Sequence, residues 1–382
     1  MMSFIKQLFN PTDKVQPLEA GIYHWQTPGD AENQFRLHLR IESDQTGVLI
    51  INAATVLHLN SSATAHAYHI VQGDSIDQAA EAISQRYNVT MKTARNHQEA
   101  IRAQIETLAT NPDVAPVLFM DADRQEPYSE KPSAPYRLDL ALTYRIDESG
   151  QLDPLARQRV DRELEKDEWI EILGKAWEAG IPHVIFTGGE PTLRPDLVDL
   201  ILEAEKLGQV SGVLTNGLRL SDAKYLDGLE QAGLDHLLIA LDPDHKQALQ
   251  GLRNAVASDI FTAVHLTLSP DDFDRFEDIL SSLKATGVSH LSLSSEDPSP
   301  STKELLTGAQ DLATSNGFTL IWDIPVPYSR TNPISSELED APDGAGIAWL
   351  YVEPDGDVLP AQGINEVLGN LARESFKSIW RA

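Results

Sequence analysis

The chain has 382 residues, 58 acidic and 30 basic side chains, and a formal net charge of −28. That length suits about two to three domains, and 41% apolar content is ordinary for a chain that buries a core. There is no cysteine, which excludes a disulfide framework, a thiol nucleophile and any metal or iron–sulfur cluster held by the chain's own thiolates. Apolar runs such as Val48–Ile51 and Leu237–Leu241 are far too short to span a bilayer. Met1–Pro11 lacks the apolar stretch of a secretory signal, so a cytoplasmic location without membrane contact is expected. The surplus negative charge repels phosphate backbones and argues against nucleic acid as a partner.

In chain order, Phe35–Ile41 alternates apolar and polar residues as a half-buried strand does. Ser43–Gly47 is turn chemistry, and Val48–Leu59 reads as further extended structure. Asn60-Ser61-Ser62 offers N-caps for a helix through Val71, ended by Gly73. Ser75–Gln78 opens a second helix, and Lys92–Leu108 reads as a third. Strands followed by three helices predict a small α+β domain over residues 16–110. Five prolines between Asn111 and Pro135 make residues 111–136 a linker.

From Arg137 the pattern becomes strand–helix alternation. Strands are predicted at 138–144, 183–187, 210–214, 236–241, 261–268, 290–294 and 319–324. Between them lie amphipathic helices at Lys166–Ala179, from Pro195 to Leu207, Asp222–Ala232, His245–Ala257, Phe273–Thr286 and Ser301–Asn316. Such a series predicts an α/β fold on a parallel sheet, with ligands at the carboxyl ends of its strands. The tail breaks the alternation, with strand Ala348–Glu353, turn Pro354–Asp357, a returning Val358–Pro360 and a short helix near Ser375–Trp380.

The most specific string is Phe186-Thr-Gly-Gly-Glu-Pro-Thr-Leu-Arg-Pro-Asp-Leu197, where the second strand gives way to its helix. Paired glycines there let a ligand touch backbone, and Glu190 can accept from an ammonium. The stretch resembles the Gly-Gly-Glu-Pro motif of radical S-adenosylmethionine (SAM) enzymes, and Leu214–Leu218 resembles that family's next motif. The resemblance implies a partial (β/α) TIM-like barrel over residues 137–325. It also implies a SAM-type pocket at Gly188, Gly189, Glu190, Pro191, Asn216 and Asp242. Residues 16–110 resemble the winged-helix-like PqqD-type domain, which implies recognition of a peptide or a partner enzyme along the strand edge near Phe35–Ile41. Residues 326–382 resemble a SPASM or twitch extension, which in relatives binds auxiliary clusters.

The family's C-x₃-C-x₂-C motif is missing. Its three positions fall on Ile146, Gly150 and Asp153, and the tail's cysteine positions fall on Asp343 and Ala361. Two of the first three have no donor atom, and a carboxylate is a hard ligand where soft thiolates are wanted. The expectation is a pseudoenzyme or accessory protein with no catalytic residue, no metal ligand, no cofactor, no iron–sulfur cluster and at most weak SAM binding. Two rivals stay open: an enzyme of another reaction type reusing the barrel pocket, and a radical SAM enzyme with atypical cluster ligands. Other candidates read as structure. His66 and His69 share a helix face but make no closed metal site. The run Glu163, Glu165, Asp167, Glu168 solvates a helix start. Trp169 and Trp177 are core, and Ser292–Ser301 is a polar loop.

Overall fold

The computed structural model describes residues 16–28, 34–111, 132–147, 160, 162–296, 300–321, 341 and 343–380. The chain divides into two compact units, residues 1–133 and 134–382.

In the first unit, β1 (Gly21–Gln26), β2 (Arg36–Ile41), β3 (Gly47–Ile51) and β4 (Thr55–Leu59) form an antiparallel sheet in that order. Helices α1 (Ser61–Val71), α2 (Ile76–Arg86) and α3 (Met91–Thr110) follow. One sheet face presents Leu37, Leu39, Ile41, Leu49, Ile51, Leu57 and Leu59 to Ala63, Ala67 and Ile70 of α1 and Ile105 and Leu108 of α3. The caps lie where the sequence places them: Asn60 accepts from the Ala63 amide, and Ser75 with Gln78 forms a capping box.

Two expectations are corrected here. The extended run 48–59 is a hairpin, because Asn52 and Ala53 turn the chain at φ +52° and +55°. No glycine or proline marks that turn, so the pattern hid it. The edge expected near Phe35–Ile41 is not an edge either. β2 pairs with β1 on one side and β3 on the other, and the outer strands are β1 and β4.

The second unit holds a ten-stranded sheet. Its strands are β5 (Arg137–Thr143), β6 (His183–Gly188), β7 (Val210–Thr215), β8 (His236–Ala240), β9 (Phe261–Leu268), β10 (His290–Ser295) and β11 (Thr319–Leu320), with β12 (Trp349–Val352), β13 (Asp357–Leu359) and β14 (Gly369–Asn370) from the tail. Their order is β11-β10-β9-β8-β7-β6-β5-β12-β13-β14. All neighbours run parallel except the pairs made by β13. The helices are α4 (Lys166–Glu178), α5 (Leu197–Leu207), α6 (Ala223–Gln231), α7 (Lys246–Val256), α8 (Pro270–Asp274), α9 (Phe276–Lys284), α10 (Pro300–Ser315) and the C-terminal α11 (Phe376–Ile379).

Alternate strand residues, such as Leu140, Phe186, Val213, Ile239 and Val264, pack against helix residues Trp169, Ile172, Leu200, Leu252 and Leu280 in the main core. The opposite, inner face carries a smaller apolar layer of Ile185, Leu214, Leu238 and Ala263. This is the barrel-type α/β fold that the alternation predicts.

Three details differ. Pro195 precedes α5 rather than opening it: a 3-10 turn at Pro191–Leu193 comes first, and α5 begins at Leu197. The single helix expected at 273–286 is two, because Ser269-Pro270 supplies an N-cap and first-turn proline earlier, with a capping box to Asp272, and Arg275 separates α8 from α9. Ser292–Ser295 belongs to β10, not to a loop. Most of the predicted linker and residues 326–340 lie outside the described residues.

Candidate functional site

The Gly-Gly-Glu-Pro stretch sits at the carboxyl end of β6, against the end of β5. The Gly189 amide donates to the Thr143 carbonyl and the Glu190 amide to the Arg145 carbonyl, both at 2.7 Å. A Cβ on Gly188 would meet the Thr143 oxygen at 2.2 Å, and one on Gly189 the Arg145 oxygen at 2.3 Å. Gly188 also has φ +124°, a region that favours glycine. Both glycines are therefore demanded by the approach of two backbone segments, whatever ligand binds beside them.

Glu190 is buried and accepts four hydrogen bonds within the fold. Oε1 accepts from the Thr192 amide at 3.0 Å, the Thr192 hydroxyl at 2.5 Å and the Thr215 hydroxyl at 2.8 Å. Oε2 accepts from the Asn216 amide at 2.7 Å. A carboxylate offers about two acceptor sites on each oxygen, so three donors crowd Oε1 while Oε2 keeps one site beside the Asn216 amide. Burial nonetheless raises the Glu190 pKa above its ordinary value, against the pull of the four bonds. The Asn216 side chain accepts from the Leu218 amide at 3.0 Å. Thus Glu190 and Asn216 come together as expected, and they tie the β6 turn to the end of β7. Pro191 opens the 3-10 turn that brings Thr192 back onto Glu190. Asp242 does not join them. It is exposed and caps its own turn, accepting from the Asp244 amide at 2.9 Å.

Sequence reasoning missed the residues that brace this turn. Arg194 is buried, donates to the carbonyls of Leu142 (3.2 Å) and Leu164 (3.0 Å), and forks onto Asp196 at 2.6 and 2.9 Å. Glu163, read as a helix-start charge, pairs instead with the Thr143 hydroxyl and lies 3.8 Å from Arg145. Arg219 donates to the Thr192 carbonyl and covers the Tyr225 ring at 4.4 Å. Thr192, Thr215 and Arg194 are ordinary residue types, and only their convergence on two strand ends makes them part of the site.

At the degenerate cluster positions, Ile146 is 40% exposed, Asp343 is exposed and Ala361 is buried. Gly150 and Asp153 lie outside the described residues. Among the described residues, the group of three close ligating side chains is Glu353, Asp355 and Asp357. Hard carboxylates of this kind do not fit a cluster that wants thiolates. His66 and His69 do not converge on a metal site. His66 Nδ1 faces Gln98 Oε1 at 2.6 Å, and His69 pairs with Asp74 at 2.7 Å. Trp169 is core, as expected. No helix among the described residues is long and apolar enough to cross a membrane.

Comparison with known proteins places this geometry. Residues 144–254 match the model of the Radical SAM superfamily. The PqqA peptide cyclase of Rhizobium meliloti (strain 1021) is 24% identical over 315 residues, 74% of this chain and 78% of the relative. The PqqA peptide cyclase of Gluconobacter oxydans (strain 621H) is 36% identical over 137 residues, 35% of this chain and 38% of the relative. Streptococcus suis SuiB bound to S-adenosylmethionine has the same fold, with TM-score 0.58 and 15% identity, covering 92% of this chain and 87% of SuiB. SuiB bound to the precursor peptide SuiA gives TM-score 0.56 and 13% identity, covering 96% and 88%.

These matches overturn the expectation of no cofactor and no cluster. The matched family is defined by SAM chemistry, and a protein of this fold holds SAM. The missing cysteines restrict only the ligands this chain itself offers. A cluster at this barrel would have to take its ligands from another residue type or another chain. Residues 144–254 are thus similar to the radical SAM family and the longer chain to the PqqA peptide cyclases, while the chain itself carries no cysteine.

Proposed function

We propose that this chain is a peptide-engaging accessory protein of the radical SAM family, a pseudoenzyme rather than a self-sufficient radical enzyme. The carrying observation is the donor set. The chain has no thiolate to offer, and the motif carboxylate that could meet an ammonium is bound into the fold by Thr192, Thr215 and Asn216. SAM, the cofactor of the matched family, would be held on this barrel at the turn of Gly188, Gly189 and Glu190, where strand-end carbonyls and the Glu190 carboxylate could accept from its amino group.

The peptide half of the reading rests on relatives named for peptide cyclisation and on a fold neighbour solved with its precursor peptide. On this chain residues 16–110 are the proposed recognition domain, residues 137–325 the barrel and residues 326–382 the extension. Strand addition uses main-chain hydrogen bonds along an unpaired edge. Among the described residues those edges are the outer sides of β1 and β4.

Anaerobic incubation of the full chain with iron, sulfide, dithionite and SAM tests the reading. The expected result is no 5′-deoxyadenosine above the protein-free control. Catalytic formation of deoxyadenosine would overturn the accessory role.

A further inference from the structure

The first unit differs from the rest of the chain in charge. Of the 58 acidic side chains, 42 lie beyond residue 133. Residues 45–73, which hold β3, β4 and α1, contain no Asp, Glu, Lys or Arg. β1 is equally bare: Gly21-Ile-Tyr-His-Trp-Gln26 has neither a charge nor a proline. It pairs with β2 in unbroken register from Gly21 to Gln26, with no bulge. Sheet edges are ordinarily guarded by lysine, proline, a bulge or a covering segment. β1 has none of the first three, and Gly21, His24 and Gln26 along it are exposed.

The two outer strands of this sheet also differ from each other. On β4 the residues turned toward the helices, Leu57 and Leu59, are buried. On β1 the corresponding residues, Tyr23 and Trp25, are only half-buried. Tyr23 meets the Tyr68 ring of α1 edge-on at 5.1 Å, and Trp25 meets Phe35 at 5.3 Å. These rings make a strip of aromatic surface that runs out at the sheet edge, where one more strand would cover it.

We propose that β1 is a dimer edge. A second copy of this chain lays its own β1 antiparallel against it and joins the two four-stranded sheets into one. The strand is self-complementary in that arrangement. With His24 opposite His24 on the two-fold axis, Tyr23 of each copy faces Trp25 of the other on the helix side, and Ile22 faces Gln26 on the far side. Aromatic cross-strand pairs then add to the main-chain hydrogen bonds. The two His24 rings are neutral at pH 8, and no charged side chain of β1 meets its like. A net charge of −28 makes most other approaches of two copies repulsive. A second copy fits better than a foreign segment because it brings the same unguarded edge and the same half-covered rings. The β4 edge is left for the peptide of the reading above, so the two inferences stand apart.

Sedimentation velocity of the full chain at pH 8 tests the dimer. One strand pair is a small interface, so loading from about 1 to about 100 μM should carry the weight-average mass from the monomer's toward twice that value. Added salt should tighten the dimer, because it screens repulsion between two acidic chains. Trp25→Lys should weaken association at least about tenfold by placing an ammonium in each aromatic pair. Should that variant lose the wild-type melting temperature, His24→Lys serves, since it changes an exposed position and sets like charges face to face on the axis. His58→Lys, at an exposed position of β4, should leave the dimer unchanged. A monomer throughout the range, a dimer that both β1 variants leave intact, equal weakening by His58→Lys, or dissociation by salt would each overturn the proposal.

Discussion

The turn at the end of β6 and the loop after β5 belong to one ligand site in the family, yet they stand on different physical footing here. At the turn, Gly188 and Gly189 are required because any Cβ would strike the backbone of Thr143 and Arg145. Glu190 is required because four donors from β6 and β7 ends are buried against it. At the loop, Ile146 is 40% exposed and has no donor atom for a metal. The difference teaches that a motif can be demanded by packing where its chemistry has lost support. A surviving Gly-Gly-Glu-Pro string is evidence for the barrel first and for cofactor chemistry second.

Substitutions can break or sharpen that contrast. Gly188→Ala should be the most damaging, at about 3 kcal/mol or more, because overpacking against backbone adds to a positive-φ penalty. Gly189→Ala meets backbone equally closely but without the positive φ, so about 1–3 kcal/mol is expected. Urea denaturation of both variants ranks them, and near-wild-type midpoints would remove the packing explanation.

Glu190→Gln should cost about 1–3 kcal/mol, because an NH2 group replaces an acceptor among buried donors. It should also change the pH dependence. The folded-state pKa of Glu190 lies above its ordinary value of 4.5. In the window from 4.5 up to that raised value, the folded state binds the proton and the unfolded state does not. Stability from this group is present below 4.5 and is lost as pH rises through the folded pKa. Glu190→Gln should flatten that decline, and parallel wild-type and variant curves across the window would contradict the assignment.

At the cluster positions the effects should be smaller. Ala361→Cys adds one atom to a buried site and should cost about 1 kcal/mol, the low end of overpacking. Ile146→Cys, at a partly exposed site, should fall within about 0.5 kcal/mol of wild type. A large loss at Ile146 would mean the loop position carries structure that its exposure does not suggest.

Much of this was legible in the sequence. The barrel strands and helices announce themselves by period, because each buries one face against a common core. The caps at Asn60 and Ser75 are local signals with local consequences. The β3–β4 turn was not legible, since Asn52 and Ala53 adopt positive φ without glycine. Strand β1 escaped because Gly21–Gln26 is a half-exposed edge strand with weak alternation. At the site, the glycines and Glu190 could be named from their string. The bonding of Glu190 into the fold could not, because Thr215 and Asn216 meet it only after β6 and β7 are placed side by side. Likewise Ser292 and Ser294 read as a polar run until register set them opposite His265 and Thr267.

The central claim is that the Glu190 carboxylate serves the fold through its bonds to Thr192, Thr215 and Asn216. Amide hydrogen exchange of Asn216 and Thr192 measures that without any ligand, since both amides donate to Glu190. The account predicts that in the ligand-free protein both amides exchange only through large-scale opening, as core strand amides do, and that Glu190→Gln speeds both selectively. Rapid exchange of these two amides in the ligand-free wild type, slowed only when SAM is added, would show a carboxylate held ready for a ligand and contradict the account.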